Sequence, residues 1–538
     1  MSDSLWYKNA VFYEVYVRAF YDSNADGRGD LNGLTRKLDY LQSLGVDCLW
    51  LLPIYPSPLK DDGYDISDYT GIHPDYGTLD DFKNLLGAAH ARNIRIIMDL
   101  VLNHTSDQHP WFQAARSNRD SPYRDYYVWS DTDQKYGQAR IIFVDTEKSN
   151  WTWDETAGQY FWHRFYSSQP DLNFDNPAVR AEFLHIIRFW LDLGVDGFRV
   201  DAVPYLFERE GTNCENLPET HAFLKEMRTF IDQNYPGRIL LCEANQWPQE
   251  VRSYFGDGDE FHMAFHFPLM PRIFMALRRA DASPVEWALL HTPSIPGNCQ
   301  WCTFLRNHDE LTLEMVTEEE RRWMWEEYAP DPRMRLNLGI RRRLAPLLDN
   351  DPRKIGLAFS LLFTLPGTPV IYYGDEIGMG DNIFLPDRNG VRTPMQWEPG
   401  LNAGFTDADV IYSPVISDPP FYPEKVNVLA ERAEMGSLWS RLRAMIAIRK
   451  SYPALCCGPL AWWDSGTPAV IAYLRGEGPE RILMVHNLSA VPREVVYSLP
   501  GDVREKVVDI LAGQAVEKTR GRLSLSLQPY EYRWLLIH

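Results

Sequence analysis

The sequence predicts an α/β protein built on a (β/α)₈ TIM barrel, with an inserted subdomain after the third strand and a C-terminal antiparallel β-sandwich. Eight short, nearly continuous apolar runs alternate with segments of helical period, and from about residue 453 the pattern changes to short alternating runs separated by turn residues. Continuous apolar strands separated by helices indicate a parallel sheet that is buried on both faces. A count of eight favours a closed barrel over an open sheet.

The candidate strands are residues 11–20, 46–53, 94–101, 195–202, 238–245, 262–269, 302–309 and 368–376. The run at 262–269 shows the weakest pattern. Two of the intervening segments, 79–92 and 178–194, have a clear helical period, and the second ends at Gly194, which can cap a helix C-terminus.

Two insertions interrupt the alternation and define the domains. Residues 105–171 are rich in Trp, Tyr and Asp and form the predicted inserted domain, whereas a loop subdomain of about 378–435 is rich in Pro, Gly, Asp and Asn. The barrel therefore comprises 1–104 and 172–452, and the β-sandwich comprises 453–538.

Composition excludes several classes of partner. The 538 residues carry 54 basic and 74 acidic side chains, a formal charge of −20, which disfavours nucleic acid or an anionic membrane surface as a partner. No apolar stretch is long enough to span a bilayer. The N-terminus lacks a basic stretch before an apolar run, and the seven cysteines are scattered, so we expect a cytoplasmic protein. The sequence allows a homo-oligomer without indicating one.

The stretch D-G-F-R-V-D-A-V (196–203) places charged residues within a strand-like run. Side chains two positions apart in a strand point to the same face, so Arg199 and Asp201 share one face. A solvated edge strand would account for an isolated pair of this kind. In a barrel, however, active sites lie at the carboxyl ends of the strands, where this pair is expected.

Other polar residues also fall at predicted strand ends, and they include Asp99, Asn103, His104, Glu243, His308 and Asp309. A salt bridge at the barrel rim is a sufficient explanation for any one of them. Acidic groups that converge unpaired in a partly dry cavity repel one another, so their joint placement points to chemistry rather than to structure.

Two carboxyl groups that face one scissile bond are the catalytic groups of a glycosidase, and a retaining mechanism requires them to lie about 5–5.5 Å apart. We predict Asp201 as the nucleophile, kept ionised by Arg199, and Glu243 as the general acid and base with a raised pKa. Asp309, His104 and His308 are expected to bind sugar hydroxyls.

The motifs that carry these residues resemble the four signature regions of the α-amylase family. They are D-L-V-L-N-H (99–104), G-F-R-V-D-A-V (197–203), C-E-A-N (242–245) and F-L-R-N-H-D (304–309), and Q-P-D-L-N (169–173) and G-T-P-V-I-Y-Y-G-D-E-I-G (367–378) are similar to its accessory regions. The resemblance covers essentially the whole chain. It implies the barrel, the inserted domain and the β-sandwich described above.

Within that family, D-D-G-Y-D (61–65) and Q-P-D-L-N are similar to the branch that acts on the non-reducing end of short α-glucosides. The resemblance implies that Asp61 and Arg392 close the far wall of the glucose site as an ion pair, that Tyr64 stacks on the sugar ring, and that Gln169 belongs to the substrate-binding residues. Such a wall favours disaccharides over starch.

Longer stretches, such as E-A-N-Q-W-P (243–248) and L-R-N-H-D-E-L-T-L-E-M-V-T (305–317), resemble the members of the family that interconvert maltose and trehalose. A disaccharide is then the substrate, and no organic cofactor is expected. A hydrolase of the same branch, an α-glucosidase or oligo-1,6-glucosidase, would carry the same catalytic residues. An inactive sugar-binding protein with this fold is the alternative from another class.

The acidic loop D-S-N-A-D-G-R-G-D (22–30) spaces its oxygen ligands like the start of an EF-hand loop. The candidate ligands are Asp22, Asn24, Asp26, the backbone carbonyl of Arg28, and Asp30. Position 12 is Gly33 rather than Glu, so the loop is not an EF-hand. Resemblance to related α-glucosidases implies a structural Ca²⁺, or alternatively Mg²⁺, in this loop, and an acidic turn capped by its own side chains is the alternative.

Overall fold

A closed barrel of eight parallel strands forms the centre of the structure, a computed structural model that describes residues 3–478, 480–499 and 507–537. Around the barrel each strand pairs with its neighbours in chain order, and the last strand pairs with the first. The strands are β1 Phe12–Val15, β2 Cys48–Leu51, β3 Arg95–Val101, β4 Gly197–Asp201, β5 Ile239–Cys242, β6 Met263–Phe265, β7 Gln300–Phe304 and β8 Thr368–Tyr372.

All eight predicted strands are present, so the predicted fold class is confirmed. The weak candidate at 262–269 forms the short strand β6 and pairs with both β5 and β7. The first candidate, 11–20, is a strand only in its first half, because Val17–Phe20 forms a helical turn whose Val17 and Phe20 are both buried. Apolar residues three positions apart fit a helical turn as well as a strand, so the apolar run alone does not distinguish the two structures.

Helices connect the strands and cover the barrel. The helix Pro177–Leu193 shows why its sequence folds locally: the Asn176 side chain accepts from the N–H of Ala178, Pro177 occupies the first turn, and Gly194 ends the helix at φ 107°. The α-helices are Val17–Phe20, Leu31–Arg36, Leu38–Leu44, Leu79–His90, Pro110–Ser117, Pro177–Leu193, Pro218–Asn234, Pro248–Val251, Leu269–Arg279, Ser283–Leu290, Glu318–Tyr328, Leu344–Leu347, Pro352–Thr364, Val428–Ala433, Leu438–Ser451 and Pro453–Cys457.

Two small antiparallel sheets stand at the carboxyl end of the barrel. One lies within the predicted insertion after β3 and consists of Trp129–Ser130, Gln159–Trp162 and Trp151–Asp154 in that spatial order. The other follows β7 and consists of Leu311–Thr312, Gly339–Ile340 and Arg335–Leu336. Both therefore lie beyond the strand ends at which an active site is expected.

The C-terminal region is antiparallel, as predicted. A six-stranded sheet and a two-stranded sheet enclose an apolar core that includes Leu483, Val495, Leu525 and Leu535. The six strands, in spatial order, are Leu460–Trp462, Val470–Arg475, Arg481–Asn487, Tyr532–Ile537, Val507–Asp509 and Gln514–Val516, and the two are Arg493–Ser498 and Arg522–Leu527.

Among the helices of the described ranges, none combines the length and the apolar character that crossing a bilayer requires.

Candidate active site

One arginine organises the acidic residues at the strand ends. Arg199, on β4, is 1% exposed, and its Nη1 donates to Asp99 Oδ1 at 2.6 Å and to Asp201 Oδ1 at 2.5 Å. Its Nη2 lies 2.8 Å from Glu243 Oε1. Because the terminal nitrogens of one planar guanidinium bind both Asp201 and Glu243, the two carboxyl groups lie side by side, as the R-x-D spacing and the strand ends predict.

A backbone turn after β4 also orients the acid. Ala202 adopts φ 51° and ψ 36°, a left-handed conformation that a residue with a Cβ rarely takes. In this conformation its N–H donates to Glu243 Oε2 at 3.0 Å. Glu243 thus has one oxygen on Arg199 and the other on the backbone. Sequence reasoning missed this contact, because alanine carries no signal for a positive φ.

The two carboxyl groups have different proton affinities. Burial raises the pKa of Asp201 to about 6, with Asp99 and Asp309 adding to it and Arg199 opposing it. Burial likewise raises the pKa of Glu243 to about 7, and the charges of Asp201 and Asp309 contribute. Near neutral pH, Asp201 is therefore ionised while Glu243 readily holds and releases a proton, the division of labour between a nucleophile and an acid–base group.

The third acid is held by cations. His308 Nε2 lies 3.1 Å from Asp309 Oδ2, and its Nδ1 lies 2.6 Å from Oε1 of Glu14 on β1. Burial would lower the pKa of His308, but Asp309 and Glu14 raise it to about 9, so the ring is a cation at neutral pH. Burial would raise the pKa of Asp309, but His308, Arg388 and Arg392 hold it well below its ordinary value. Glu14 was missed because one glutamate in an apolar strand has no motif around it.

The far wall of the pocket differs from the prediction. Asp61 pairs with Arg388, at 2.8 Å, and not with Arg392. Arg392 instead contacts Asp62 at 2.6 Å and Asp309 at 3.0 Å. The two arginines flank a single 3₁₀ turn, Asn389–Val391, so both reach the site while only the first faces Asp61. The Asp61–Arg392 ion pair is therefore wrong, and Arg388 is the wall residue that the resemblance did not indicate.

The other predicted binding residues surround the same pocket. Gln169 Nε2 donates to Asp61 Oδ2 at 2.9 Å, and the Tyr64 ring stacks on His308 with the centroids 5.3 Å apart. His104 is buried, burial lowers its pKa to about 3, and its Nε2 has no hydrogen-bond partner within the described part of the chain. A neutral imidazole with a free ring nitrogen in such a pocket suits a sugar hydroxyl.

The pocket has an empty volume of about 920 Å³, including the part open to solvent. Acids lie on its floor, and apolar side chains from the insertion, Ile142, Phe143 and Phe165, form part of its wall. Its lining comprises Asp61, Tyr64, His104, Ile142, Phe143, Phe165, Asp201, Ala202, Pro204, Tyr205, Glu243, Asn245, Phe267, Asn307, Asp309, Glu310, Thr312, Glu314, Asn337 and Arg388.

The acidic loop lies apart from this pocket. Asp22 accepts from the backbone N–H groups of Asn24, Ala25 and Gly27, and Asp30 accepts from those of Ser23 and Gly33. Asn24 accepts from Asp26 N, and Asp26 accepts from Arg28 N. Within the described ranges no three or more His, Cys, Asp or Glu side chains form a group that could hold a metal ion. These hydrogen bonds from backbone N–H groups are the ones that an acidic turn capped by its own side chains would form. The predicted ligands Asn24 Oδ1 and the backbone carbonyl of Arg28 are not His, Cys, Asp or Glu side chains, so they do not count toward a group of that kind.

The structure is a closed parallel barrel, and the ends of its strands place a buried nucleophile beside an acid of raised pKa. This arrangement is typical of an enzyme that acts on glycosidic bonds with retention. The profile of the α-amylase catalytic domain matches residues 14–458, and that of the C-terminal domain of sucrose hydrolase-like proteins matches residues 480–536. The chain therefore belongs to the α-amylase family.

The chain is 60% identical to the trehalose synthase/amylase of Mycolicibacterium smegmatis, over 93% of this chain and 86% of that protein. It is 57% identical to the trehalose synthase of Pimelobacter, over 94% and 91%. The structure of the trehalulose synthase MutB from Pseudomonas mesoacidophila matches with a TM-score of 0.80 at 31% identity, over 99% of each chain. By contrast, the oligo-1,6-glucosidase of Parageobacillus thermoglucosidasius is 32% identical, over 99% of each chain. Within the α-amylase family, the chain therefore belongs to the trehalose synthases.

The two raised pKa values predict a narrow, bell-shaped dependence of kcat/KM on pH. Activity rises as Asp201 ionises through about pH 6 and falls as Glu243 loses its proton through about pH 7. The two limbs belong to the interacting pair rather than to either residue alone. Initial rates on maltose measure the profile, with preincubation at each pH as the control for unfolding. A constant kcat/KM from about pH 5 to about pH 8 would contradict the assignment.

The corrected wall predicts that Arg388→Met lowers kcat/KM by about thirtyfold or more, since removing one partner of a buried charged pair costs ~2–5 kcal/mol. Arg353→Met is the matched control, because Arg353 pairs with Asp351 at the surface with 58% of its side chain exposed. Both variants are compared by kinetics on maltose and by thermal melting. Equal kcat/KM in the two variants would show that Arg388 does not shape the site.

Proposed function

We propose that this protein interconverts maltose and trehalose by moving a glucosyl group within the closed pocket, with minor hydrolysis to glucose. The observation that carries the proposal is the joint attachment of Asp201 and Glu243 to Arg199 inside a pocket whose far wall is closed by Asp61 and Arg388. A closed wall leaves room for one glucosyl unit beyond the scissile bond. A short disaccharide, rather than an interior bond of a polymer, then fits the site.

In the first step, an Asp201 oxygen attacks the anomeric carbon of the non-reducing glucose of maltose. The bond to the 4-oxygen of the second glucose breaks, and Glu243 gives its proton to that oxygen. The product is a β-glucosyl ester on Asp201 and a free glucose in the pocket. Asp309, His308 and His104 are placed to bind the hydroxyls of the glucosyl unit, and the histidines differ in charge.

In the second step, the free glucose turns and offers its anomeric hydroxyl instead of its 4-hydroxyl. Glu243, now a carboxylate, removes the hydroxyl proton while the oxygen attacks the anomeric carbon, and the Asp201 ester bond breaks. The product is trehalose, and both groups return to their starting states. Two inversions at the same carbon give net retention.

Between the steps, the ester must be protected from water. We propose that residues 105–171, together with 310–350 and about 378–435, form a lid over the pocket. Arg140, in the first of these segments, supports this assignment, because it pairs with Glu215 at 2.9 Å and with Glu314 at 2.7 Å. These ion pairs join the insertion to the loops after β4 and β7, and Glu314 also lines the pocket.

A hydrolase would carry out the first step in the same way and differ only in the second. Maltose incubated with labelled free glucose separates the two reactions: an isomerase that retains its glucose yields trehalose with little label. Heavy incorporation of label would show that glucose leaves and returns. Glucose as the main product, with trehalose absent, would establish the α-glucosidase or oligo-1,6-glucosidase alternative instead.

Asp201→Asn should lower turnover by several orders of magnitude, because an amide cannot form the covalent ester. Asp39→Asn is the matched control, since Asp39 pairs with Arg92 at the surface with 78% of its side chain exposed. Product chromatography from maltose and from trehalose measures both directions. Near-normal activity of the Asp201 variant refutes the nucleophile, and any glucose release by the parent protein excludes an inactive sugar-binding protein.

We propose further that Asp22, Asn24, Asp26, the carbonyl of Arg28, and Asp30 bind a structural Ca²⁺, or Mg²⁺. The carboxylate, amide and carbonyl oxygens of these residues are the ligand types that hard cations prefer. Chelation should then lower the melting temperature, and added Ca²⁺ should restore it, whereas Asp26→Asn should weaken the response. A melting temperature unaffected by chelator would leave the loop stabilised by its backbone hydrogen bonds alone.

We also propose a cytoplasmic location, which the seven cysteines support because none of them forms a disulfide and thiols persist in a reducing compartment.

A further inference from the structure

Two adjacent cysteines stand where the barrel ends and the C-terminal sheets begin. Cys456 and Cys457 close the short helix Pro453–Cys457, and their Sγ atoms are 3.3 Å apart. Cys456 is 2% exposed, whereas Cys457 is exposed to solvent. The pair therefore combines one accessible sulfur with one protected sulfur in direct contact.

Cys457 differs from every other cysteine of the chain. The other six are buried free thiols. Burial raises the pKa of Cys48, Cys214, Cys242, Cys299 and Cys302 above the ordinary thiol value, which keeps these five protonated and unreactive.

Two buried arginines bind the backbone on either side of the pair, Arg449 at the carbonyl of Leu455 and Arg475 at that of Gly458. Arg449 and Arg475 are fully buried and donate to backbone carbonyls, Arg449 to Phe363 and Gly367 and Arg475 to Gly458. Across the described residues neither guanidinium forms an ion pair with a carboxylate, and the Nε of each lacks a hydrogen-bond partner. Two buried positive charges without a carboxylate favour an anion nearby.

The Cys457 sulfur is suited to be that anion. The Cys456 thiol donates to it, and with Lys8, Arg449 and Arg475 this hydrogen bond outweighs burial and lowers the pKa of Cys457 to about 6. The same contact raises the pKa of Cys456, so the proton stays on the inner sulfur. An accessible thiolate beside a second thiol is the arrangement that reacts with oxidants and is then resolved.

We infer that Cys456 and Cys457 form a site of reversible thiol oxidation, at which a hydroperoxide oxidises Cys457 and Cys456 resolves the product. The Cys457 thiolate attacks the outer peroxide oxygen, the O–O bond breaks, and the alcohol or water leaves with a proton. The Cys457 sulfenic acid is then attacked by the Cys456 sulfur, which loses its proton as the sulfenic oxygen leaves as water. The two thiols together lose two electrons and the peroxide gains two.

The disulfide should be easy to reduce. Consecutive Cα atoms lie about 3.8 Å apart across a trans peptide, below the range of about 4.4–6.8 Å that disulfides usually span. Such a bond is strained, and strain makes a disulfide more reducible. A small thiol should therefore restore the pair. No residue of this site lines the pocket of Asp201 and Glu243, so the inference is independent of the proposed reaction.

The full chain, treated with hydrogen peroxide and mapped by peptide mass spectrometry, tests the inference. The parent protein should lose two hydrogens across Cys456 and Cys457 and regain them with dithiothreitol. Cys456→Ser should accumulate a sulfenic acid at Cys457 that dimedone traps, whereas Cys457→Ser should leave Cys456 unmodified. Cys214→Ser is the control and should behave like the parent protein. Melting curves verify that each variant is folded.

Alkylation by iodoacetamide near neutral pH gives a second measurement that requires no oxidant. Cys457 should react about tenfold faster than any other cysteine, because it is both ionised and accessible. Similar rates at all cysteines would overturn the inference, as would oxidation of another cysteine before Cys457. A parent protein that keeps a sulfenic acid at Cys457 without forming the disulfide would refute the resolving role of Cys456.

Discussion

The site depends on one buried guanidinium. Arg199 binds Asp99, Asp201 and Glu243, and each of these carboxyl groups is buried or half-buried. Three such groups could not approach one another without a cation between them, and loss of one partner from a buried charged set typically costs ~3–5 kcal/mol. The barrel supplies the geometry, because β3, β4 and β5 are neighbours and their ends bring the four side chains together. The contacts with Arg199 thus influence both the positions of these carboxyl groups and their protonation.

A second layer of charge surrounds this centre and keeps the third acid ionised. Asp309 lies among His308, Arg388 and Arg392, and His308 owes its positive charge to Asp309 itself and to Glu14 on the opposite side of the ring. Glu243, by contrast, has its pKa raised first by burial and then by the negative charges of Asp201 and Asp309, against the effect of Arg199. Three acids of similar intrinsic strength therefore take different roles, because burial and the neighbouring charges act on each of them differently.

The sequence predicts this centre well because its information is local. The period of two in a strand places Arg199 and Asp201 on one face, and the closing order of eight strands brings Glu243 and Asp309 to the same end. Contacts that depend on long loops were not accessible in the same way. Arg388 and Arg392 are four residues apart in one irregular loop, and only the folded path of that loop determines which of them meets Asp61. The positive φ of Ala202 and the buried Glu14 likewise leave no trace in composition or period.

The distinction between an isomerase and a hydrolase does not lie in the acids, since both begin with the same ester on Asp201. It lies in the competition between glucose and water for that ester. A tenfold preference corresponds to about 1.4 kcal/mol, a small part of what a positioned nucleophile gains over one drawn from solution. Glucose held in a closed pocket is already positioned, so the pocket needs only to keep it longer than one turnover and to admit few waters. If the loops above the barrel form the lid proposed above, the residues that decide the outcome belong to those loops, such as Arg140 with its two glutamates and the apolar Ile142, Phe143 and Phe165 that line the pocket. On that proposal, one catalytic centre yields different products according to the loops that cover it.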